Sequence, residues 1–161
     1  MEAAIASLAE AIGASGFGQW STASPIAYPL ANVVHLLGLV MLVGGIGIVD
    51  LRLAGAFRAI PVAPLSRALT PIALVGLFLM VPSGATMFAA DAVTLAGSEV
   101  FRIKLMLIGL ALANAVAFRL LWRKRLADWD DAPPKAGRAM AAASVILWLA
   151  VGAYGRMIAY A

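Results

Sequence analysis

The only histidine of the chain, His35, lies inside the apolar stretch YPLANVVHLLGLVMLVGGIGIVDLR, which covers residues 28–52. An ionisable side chain inside a membrane is costly, and for that reason it usually serves a function. A neutral imidazole can coordinate iron or copper through one ring nitrogen. Helical spacing places Asn32 and Gly38 on the same face, so that an amide and a small residue flank the imidazole. This face predicts an axial metal ligand beside a flat cofactor.

Three basic residues are expected in the same layer of the membrane as His35. Arg102 and Lys104 open the third apolar stretch, and Arg156 closes the fourth. At 1.5 Å per residue, His35 lies roughly 12 Å below the membrane boundary at which its helix starts. We therefore predict haem b, with His35 on the iron and some of the three cations on the propionates. Alternatively, each of these cations extends to lipid headgroups and does not bind a propionate.

A single histidine leaves the second axial position of a b-type haem to another group. A homodimer would bring His35 of each copy to one iron across a symmetry axis. A thioether is the other source, and Met87 on the second apolar stretch lies near the layer of His35. The same residue types also suit copper, because thioethers bind Cu(I) and imidazole binds copper well. A copper-binding or copper-transport membrane protein is therefore the alternative.

A membrane bundle is needed to position these residues. The chain has 161 residues, of which 63% are hydrophobic and 12% charged, so lipid is its expected solvent. Four segments reach the roughly 20 apolar residues that a helical span requires, at 25–49, 69–90, 101–122 and 140–160. We predict an all-α fold, an integral membrane four-helix bundle over residues 25–161. Residues 1–24 are expected to form a separate N-terminal segment with a short interfacial helix.

Basic residues orient this bundle. They are concentrated after the first and third spans, in loops that we therefore expect in the cytoplasm: Arg52, Arg58, Arg67, Arg119, Arg123, Lys124, Arg125, Lys135 and Arg138. Both termini then lie on the outer side of a bacterial inner membrane, with the haem near the outer leaflet. The chain start lacks the basic region of a signal peptide, so we expect the mature protein. The net charge of +4 serves orientation, and no nucleic-acid partner is expected.

Other polar residues in the spans predict helix contacts instead of catalysis. Asp50 and Arg52 flank the end of the first span and are expected to pair, and Asn114 is expected to bond between helices. The sequence shows no nucleophile with its base, no phosphate loop, no paired carboxylates within the membrane and no cysteine. Electron transfer with a quinone or a periplasmic redox partner is therefore favoured over enzyme activity. A cofactor-free scaffold subunit is a further alternative.

Two phrases carry a family resemblance, YPLANVVHLLGLVMLVGGIGIVDLRLAG at 28–55 and FRIKLMLIGLALANAVAFR at 101–119. They resemble an uncharacterised family of small four-helix bacterial inner-membrane proteins, over roughly residues 25–122 and more weakly over the fourth helix. More distantly, the histidine helix and the Lys-Leu opening of the third span look like the copper-resistance D family and the membrane protoporphyrinogen oxidases. The resemblance to the protoporphyrinogen oxidases implies haem, with His35 on iron and Lys104 on the porphyrin side, and allows a porphyrin oxidase-like activity.

Overall fold

The computed structural model describes residues 2–160, and every regular element in them is helical. The seven α-helices are α1 (Glu2–Ala14), α2 (Gly16–Ala23), α3 (Ala27–Ala54), α4 (Val62–Ala90), α5 (Ala92–Gly97), α6 (Glu99–Trp122) and α7 (Lys135–Met157). Short 3-10 segments follow α6 at Arg123–Arg125 and α7 at Ile158–Tyr160. Met1 and Ala161 lie outside the described residues.

Four of these helices are long and apolar enough to cross a membrane, namely α3, α4, α6 and α7 with their 3-10 extensions. The predicted all-α organisation is confirmed in the described residues, with four helices long and apolar enough to cross a membrane. The helices nevertheless extend beyond the apolar windows: α3 continues to Ala54, past the predicted end at 49, and α4 begins at Val62, before the predicted start at 69. A helix satisfies its own backbone groups, so it continues until a local signal stops it.

Glycine and proline supply those signals where the apolar composition does not. Gly55 ends α3 in the left-handed conformation with a φ of +119°, and its N–H and that of Ala56 donate to carbonyls of the last turn. This is a glycine-terminated helix end of the Schellman type. Pro61 and Pro134 stand immediately before α4 and α7, where a missing N–H costs no helical hydrogen bond.

Helices α3 and α4 pack closely along glycines. A Cβ placed on Gly76 would lie 2.5 Å from the carbonyl oxygen of Gly38, and one on Gly45 would lie 3.0 Å from that of Leu69. Small residues of this kind allow helix backbones to approach in a membrane. On its other side α3 contacts α7, and α7 contacts α6. The bundle therefore has α3 and α7 at its centre.

Side chains from all four helices close the interior in two clusters. Leu42, Ala73, Ala111 and Trp148 meet in one cluster, to which each spanning helix contributes. The second cluster lies nearer the α3–α4 turn, where Trp129 is 1% exposed and donates from its indole nitrogen to the carbonyl of Leu53. The segment after α6 was predicted to be a loop, and this tryptophan anchors it to α3.

The bundle has two ends that carry different residues. We call the end that contains His35 the His35 end and the opposite one the Arg52 end. Helices α1, α2 and α5 pack on one another and on α4 at the His35 end. Thr22 of α2 donates from its hydroxyl to the carbonyl of Ala90, the last residue of α4. The N-terminal segment thus contacts the bundle directly.

Candidate functional site

The imidazole of His35 is anchored to α4. Its Nδ1 lies 3.1 Å from the hydroxyl oxygen of Ser83. His35 is half-buried and Ser83 is buried. Ser83 is in turn fixed by its own helix, because its hydroxyl donates to the carbonyl of Leu79 at 2.6 Å. Pro82 interrupts the backbone hydrogen bonding of α4 just before this point.

We infer from these hydrogen bonds which nitrogen of His35 carries the proton. The hydroxyl hydrogen of Ser83 is directed at Leu79, so the hydroxyl accepts from the imidazole and Nδ1 donates. The backbone carbonyl of Met80 is a further acceptor for the ring on α4. In the neutral imidazole Nε2 therefore keeps its lone pair. Metal-binding histidines show the same pattern, in which a second hydrogen bond fixes the tautomer and orients the ring.

Gly84 gives the imidazole its place against α4. A Cβ built on Gly84 would lie 3.3 Å from Cε1 of His35 and 3.6 Å from Nδ1. The ring thus rests close to the α4 backbone at a position where even an alanine would crowd it. Ser83 and Gly84 together form a seat for one edge of the imidazole.

Lys104 of α6 completes the cluster from the opposite side of the bundle. Its charge acts on His35, and its Cε and Nζ atoms lie against Gly155 of α7, 3.5 Å from a Cβ built there. Residues of α3, α4, α6 and α7 therefore meet in one layer, as the sequence predicted for His35 and Lys104. Among residues 2–160 the Lys104 ammonium has no carboxylate in ion-pair distance.

Asn32 and Met87 form the next rung of the α3–α4 interface, one turn toward the helix ends. The amide nitrogen of Asn32 donates to the Met87 sulfur at 3.8 Å. Asn32 precedes His35 by three residues and Met87 follows Ser83 by four, so both lie on the faces that carry the imidazole contact. The thioether is thus one helical turn from the imidazole.

The remaining predicted residues have other contacts. Arg102 is exposed and donates to the carbonyl of Gly97. Arg156 is exposed as well, donates to the Tyr160 hydroxyl at 2.5 Å and stacks on that ring, 4.9 Å from its centre. Lys104 is the predicted cation whose charge acts on His35. Gly38 is buried against Gly76 of α4, so the space at its Cα is filled by protein.

At the Arg52 end the predicted pairing of Asp50 with Arg52 is wrong. Arg52 instead forms an ion pair with Asp130 at 2.5 Å and donates to the carbonyl of Ile60. Residues two apart on a helix point in different directions, so the two side chains cannot face each other. Asp50 lies beside Ser144 of α7. The predicted interhelical bond of Asn114 is confirmed, because its amide donates to the Met140 carbonyl at 3.1 Å.

Metal-binding side chains are sparse. No group of three or more His, Cys, Asp or Glu residues comes together within the described part of the chain. The described residues therefore provide no site for a metal ion that needs such a cluster. A metal that reaches His35 must bring most of its ligands with it, as iron does in a porphyrin, or use thioethers.

The sequence did not single out Ser83 and Gly84 as partners of His35. The signal was present in the tripeptide Pro-Ser-Gly at 82–84, which combines a break in backbone hydrogen bonding, a hydroxyl and a missing side chain inside an apolar helix. Such a tripeptide in a neighbouring span is a candidate contact site for a buried histidine.

Comparison with known families places the chain in one of them. A family described as "Family of unknown function (DUF6644)" matches residues 7–161, so the chain belongs to this family. The match is wider than the sequence resemblance predicted, because it includes most of α1 and all of α2 and α7. No curated protein and no solved structure matches the chain.

Proposed function

For this member of a family of unknown function, we propose binding of b-type haem through Nε2 of His35 and transfer of electrons within the membrane. The observation that carries the proposal is the hydrogen bond between Nδ1 and Ser83, which leaves Nε2 as the coordinating nitrogen and holds the ring in place. An axial ligand needs this combination of a fixed tautomer and a fixed ring orientation.

Haem suits the site better than a bare metal ion because haem iron needs fewer ligands from the protein. The porphyrin supplies four nitrogens, so the protein has to contribute only one or two axial ligands. His35 is the single imidazole of the chain, and no acidic cluster accompanies it in the described residues. One anchored histidine is enough for iron in a porphyrin.

Lys104 supports the proposal by its charge. A half-buried ammonium inside a membrane is costly unless it has a partner. A haem propionate is a carboxylate that could fill this role, and charge-assisted hydrogen bonds of this kind are among the strong ones. Lys104 would then set the side of the site from which the propionates approach.

The second axial ligand comes from outside the imidazole cluster. We propose a homodimer in which a second copy supplies its own His35, and Met87 is the candidate within the same chain. The His35 end would face the periplasm of a bacterial inner membrane, where a redox protein or a quinone could exchange electrons with the haem. This orientation rests on the basic residues of the opposite end.

The test is an absorption spectrum of the detergent-purified protein, oxidised and then reduced with dithionite, with pyridine haemochrome quantification. A Soret band with sharp reduced bands at one haem per two chains supports the shared site. His35→Ala should abolish the band, and Ser83→Ala should weaken haem binding by about 10- to 100-fold, the usual effect of losing an orienting partner. Asn114→Ala is the matched control, since it removes a partly buried interhelical hydrogen bond away from the site. Full haem retention in His35→Ala would refute the proposal.

Copper is the second candidate, and the rung formed by Asn32 and Met87 favours it. A thioether one turn from an imidazole offers Cu(I) two suitable ligands. Metal analysis of the same preparation separates the two candidates. Stoichiometric copper without porphyrin absorption, lost in both His35→Ala and Met87→Leu, would establish copper and exclude haem. A preparation with neither group, recovered in a stable larger complex, would indicate a scaffold subunit.

A further inference from the structure

Asp50 is a carboxyl group buried deep in the α3–α7 interface. Its residue is 6% exposed, and its Oδ2 atom has no hydrogen-bond partner in the described part of the protein. Its polar neighbour is Ser144 of α7, which is 4% exposed. An ionised carboxylate in such surroundings is strongly disfavoured unless a cation compensates it.

The cations at this end of the bundle are directed elsewhere. Arg52, the nearest one along α3, is bound to Asp130 and to the loop carbonyl of Ile60. Helices α4 and α7 pack against α3 here. No charged side chain of either helix, or of the loop that carries Asp130, interacts with the Asp50 carboxyl.

Helices α4 and α7 bring three basic residues to this end, and none of them interacts with the Asp50 carboxyl. Lys135 is exposed at the start of α7. Arg67 of α4 is exposed and donates to a carbonyl of its own helix. Arg138 of α7 donates to the carbonyl of Ala54 at the end of α3. Asp50 is therefore left with one hydroxyl and no counterion among the described residues.

We propose that Asp50 and Ser144 form a buried proton-binding site that exchanges protons with water at the Arg52 end. Asp50 is four residues from the end of α3, about 6 Å along the helix axis, whereas His35 is about 22 Å away in the other direction. The carboxylate takes up one proton from water to become a carboxylic acid, and it releases the same proton by the same route. The step needs no oxidant or co-reactant.

A proton fits this site better than a metal cation. Hard cations such as Ca²⁺ and Mg²⁺ take six or more oxygen ligands. Asp50 and Ser144 provide two carboxyl oxygens and one hydroxyl, and the α3 carbonyls are engaged in the helix. A neutral carboxylic acid, by contrast, removes the buried charge outright and can donate one hydrogen bond to Ser144. The inference does not depend on the ligand bound at His35.

Infrared spectroscopy of the full chain in lipid nanodiscs tests the proposal. Wild-type protein at neutral pH should show the C=O stretching band of a protonated carboxylic acid, which disappears as the pH is raised and shifts in D₂O. Asp50→Asn should remove the band, and Ser144→Ala should shift its frequency because a hydrogen bond is lost. Asp131→Asn, which changes an exposed carboxylate at the same end, should leave the band intact.

Two results would overturn the proposal. One is the absence of a protonated carboxylic acid band in wild-type protein at neutral pH, or its persistence in Asp50→Asn. The other is a band that appears only when sodium is removed, because this would make Asp50 a metal-cation site. If Asp50→Asn does not insert into the membrane, the pH titration of the wild-type band and its shift in Ser144→Ala decide the question.

Discussion

Gly76→Ala should destabilise the bundle by separating α3 from α4. The added Cβ would lie 2.5 Å from the Gly38 carbonyl oxygen and 2.7 Å from the Leu42 nitrogen. Both are backbone atoms and cannot turn aside as a side chain would. Ordinary van der Waals contact begins at 3.4 Å, so the two helices must move apart by about 0.9 Å.

The cost of this separation follows from packing. A radial gap of about 0.5–1 Å forfeits a quarter to a half of the dispersion energy of each contact it opens. Overpacking of one methyl group typically costs about 1–3 kcal/mol. Gly44→Ala on α3 is the matched control, because no atom lies within 4 Å of its added Cβ. It should be neutral or stabilise the helix by up to about 1 kcal/mol, since alanine favours the helix over glycine.

Thermal unfolding of the two variants in the same detergent measures the difference. A gap of about 2 kcal/mol between them corresponds to about 4–8 °C in the unfolding midpoint for a chain of this size. Gly76→Ala should also weaken any ligand bound at His35, because Ser83 lies two turns along α4 and moves away from the imidazole with it. Equal midpoints for Gly76→Ala and Gly44→Ala would refute the close glycine packing of α3 and α4.

Two further predictions concern the Arg52 end and the orientation of the bundle. Arg52→Gln should cost about 2 kcal/mol in unfolding free energy, because it removes the arginine donor from the loop carbonyl of Ile60 and from the Asp130 carboxylate, which keeps the Val62 N–H. The exposed Arg58→Gln should change the unfolding free energy by less than about 0.5 kcal/mol. Equal unfolding midpoints would contradict this role of Arg52. The chain has no cysteine, so Thr94→Cys and Asp131→Cys each introduce a single thiol, and the two thiols lie at opposite ends of the bundle. A membrane-impermeant maleimide added to intact cells with a permeable outer membrane should label Thr94→Cys alone. The reverse labelling pattern would contradict the proposed orientation.

Hydropathy was sufficient to predict four helices that are long and apolar enough to cross a membrane, because the thickness of a membrane sets the length of apolar run that a span requires. It could not give the helix ends. The α3 helix continues through Asp50 and Arg52, since its backbone hydrogen bonds do not depend on the polarity of the side chains. It stops where Gly55 adopts a left-handed conformation.

The site was predictable only in part, for a geometric reason. The sequence gives the depth of His35 and of Lys104 along their helices, so it was enough to predict that both lie in one layer of the bundle. The partner of His35 on α4 depends on how α3 and α4 are rotated and shifted against each other, and the contact between Gly38 and Gly76 sets that register. Arg52 finds its partner 78 residues away, and no periodic pattern connects the two.

The buried polar groups of α3 differ in how completely their bonding capacity is met, and this difference locates the chemistry. Arg52 is paired and bound to backbone carbonyls, so its role is to hold the turn into α4. The His35 ring is held through Nδ1 and keeps a lone pair on Nε2, with the Lys104 charge close by. Asp50 keeps an unpartnered oxygen in the interior. A membrane protein gains no stability from leaving such atoms unsatisfied, because each one costs desolvation energy that no internal bond returns. The proposed coordinating nitrogen at one end of α3 and the proposed proton-accepting oxygen at the other are therefore the two positions on this helix at which we expect a group from outside the chain to bind.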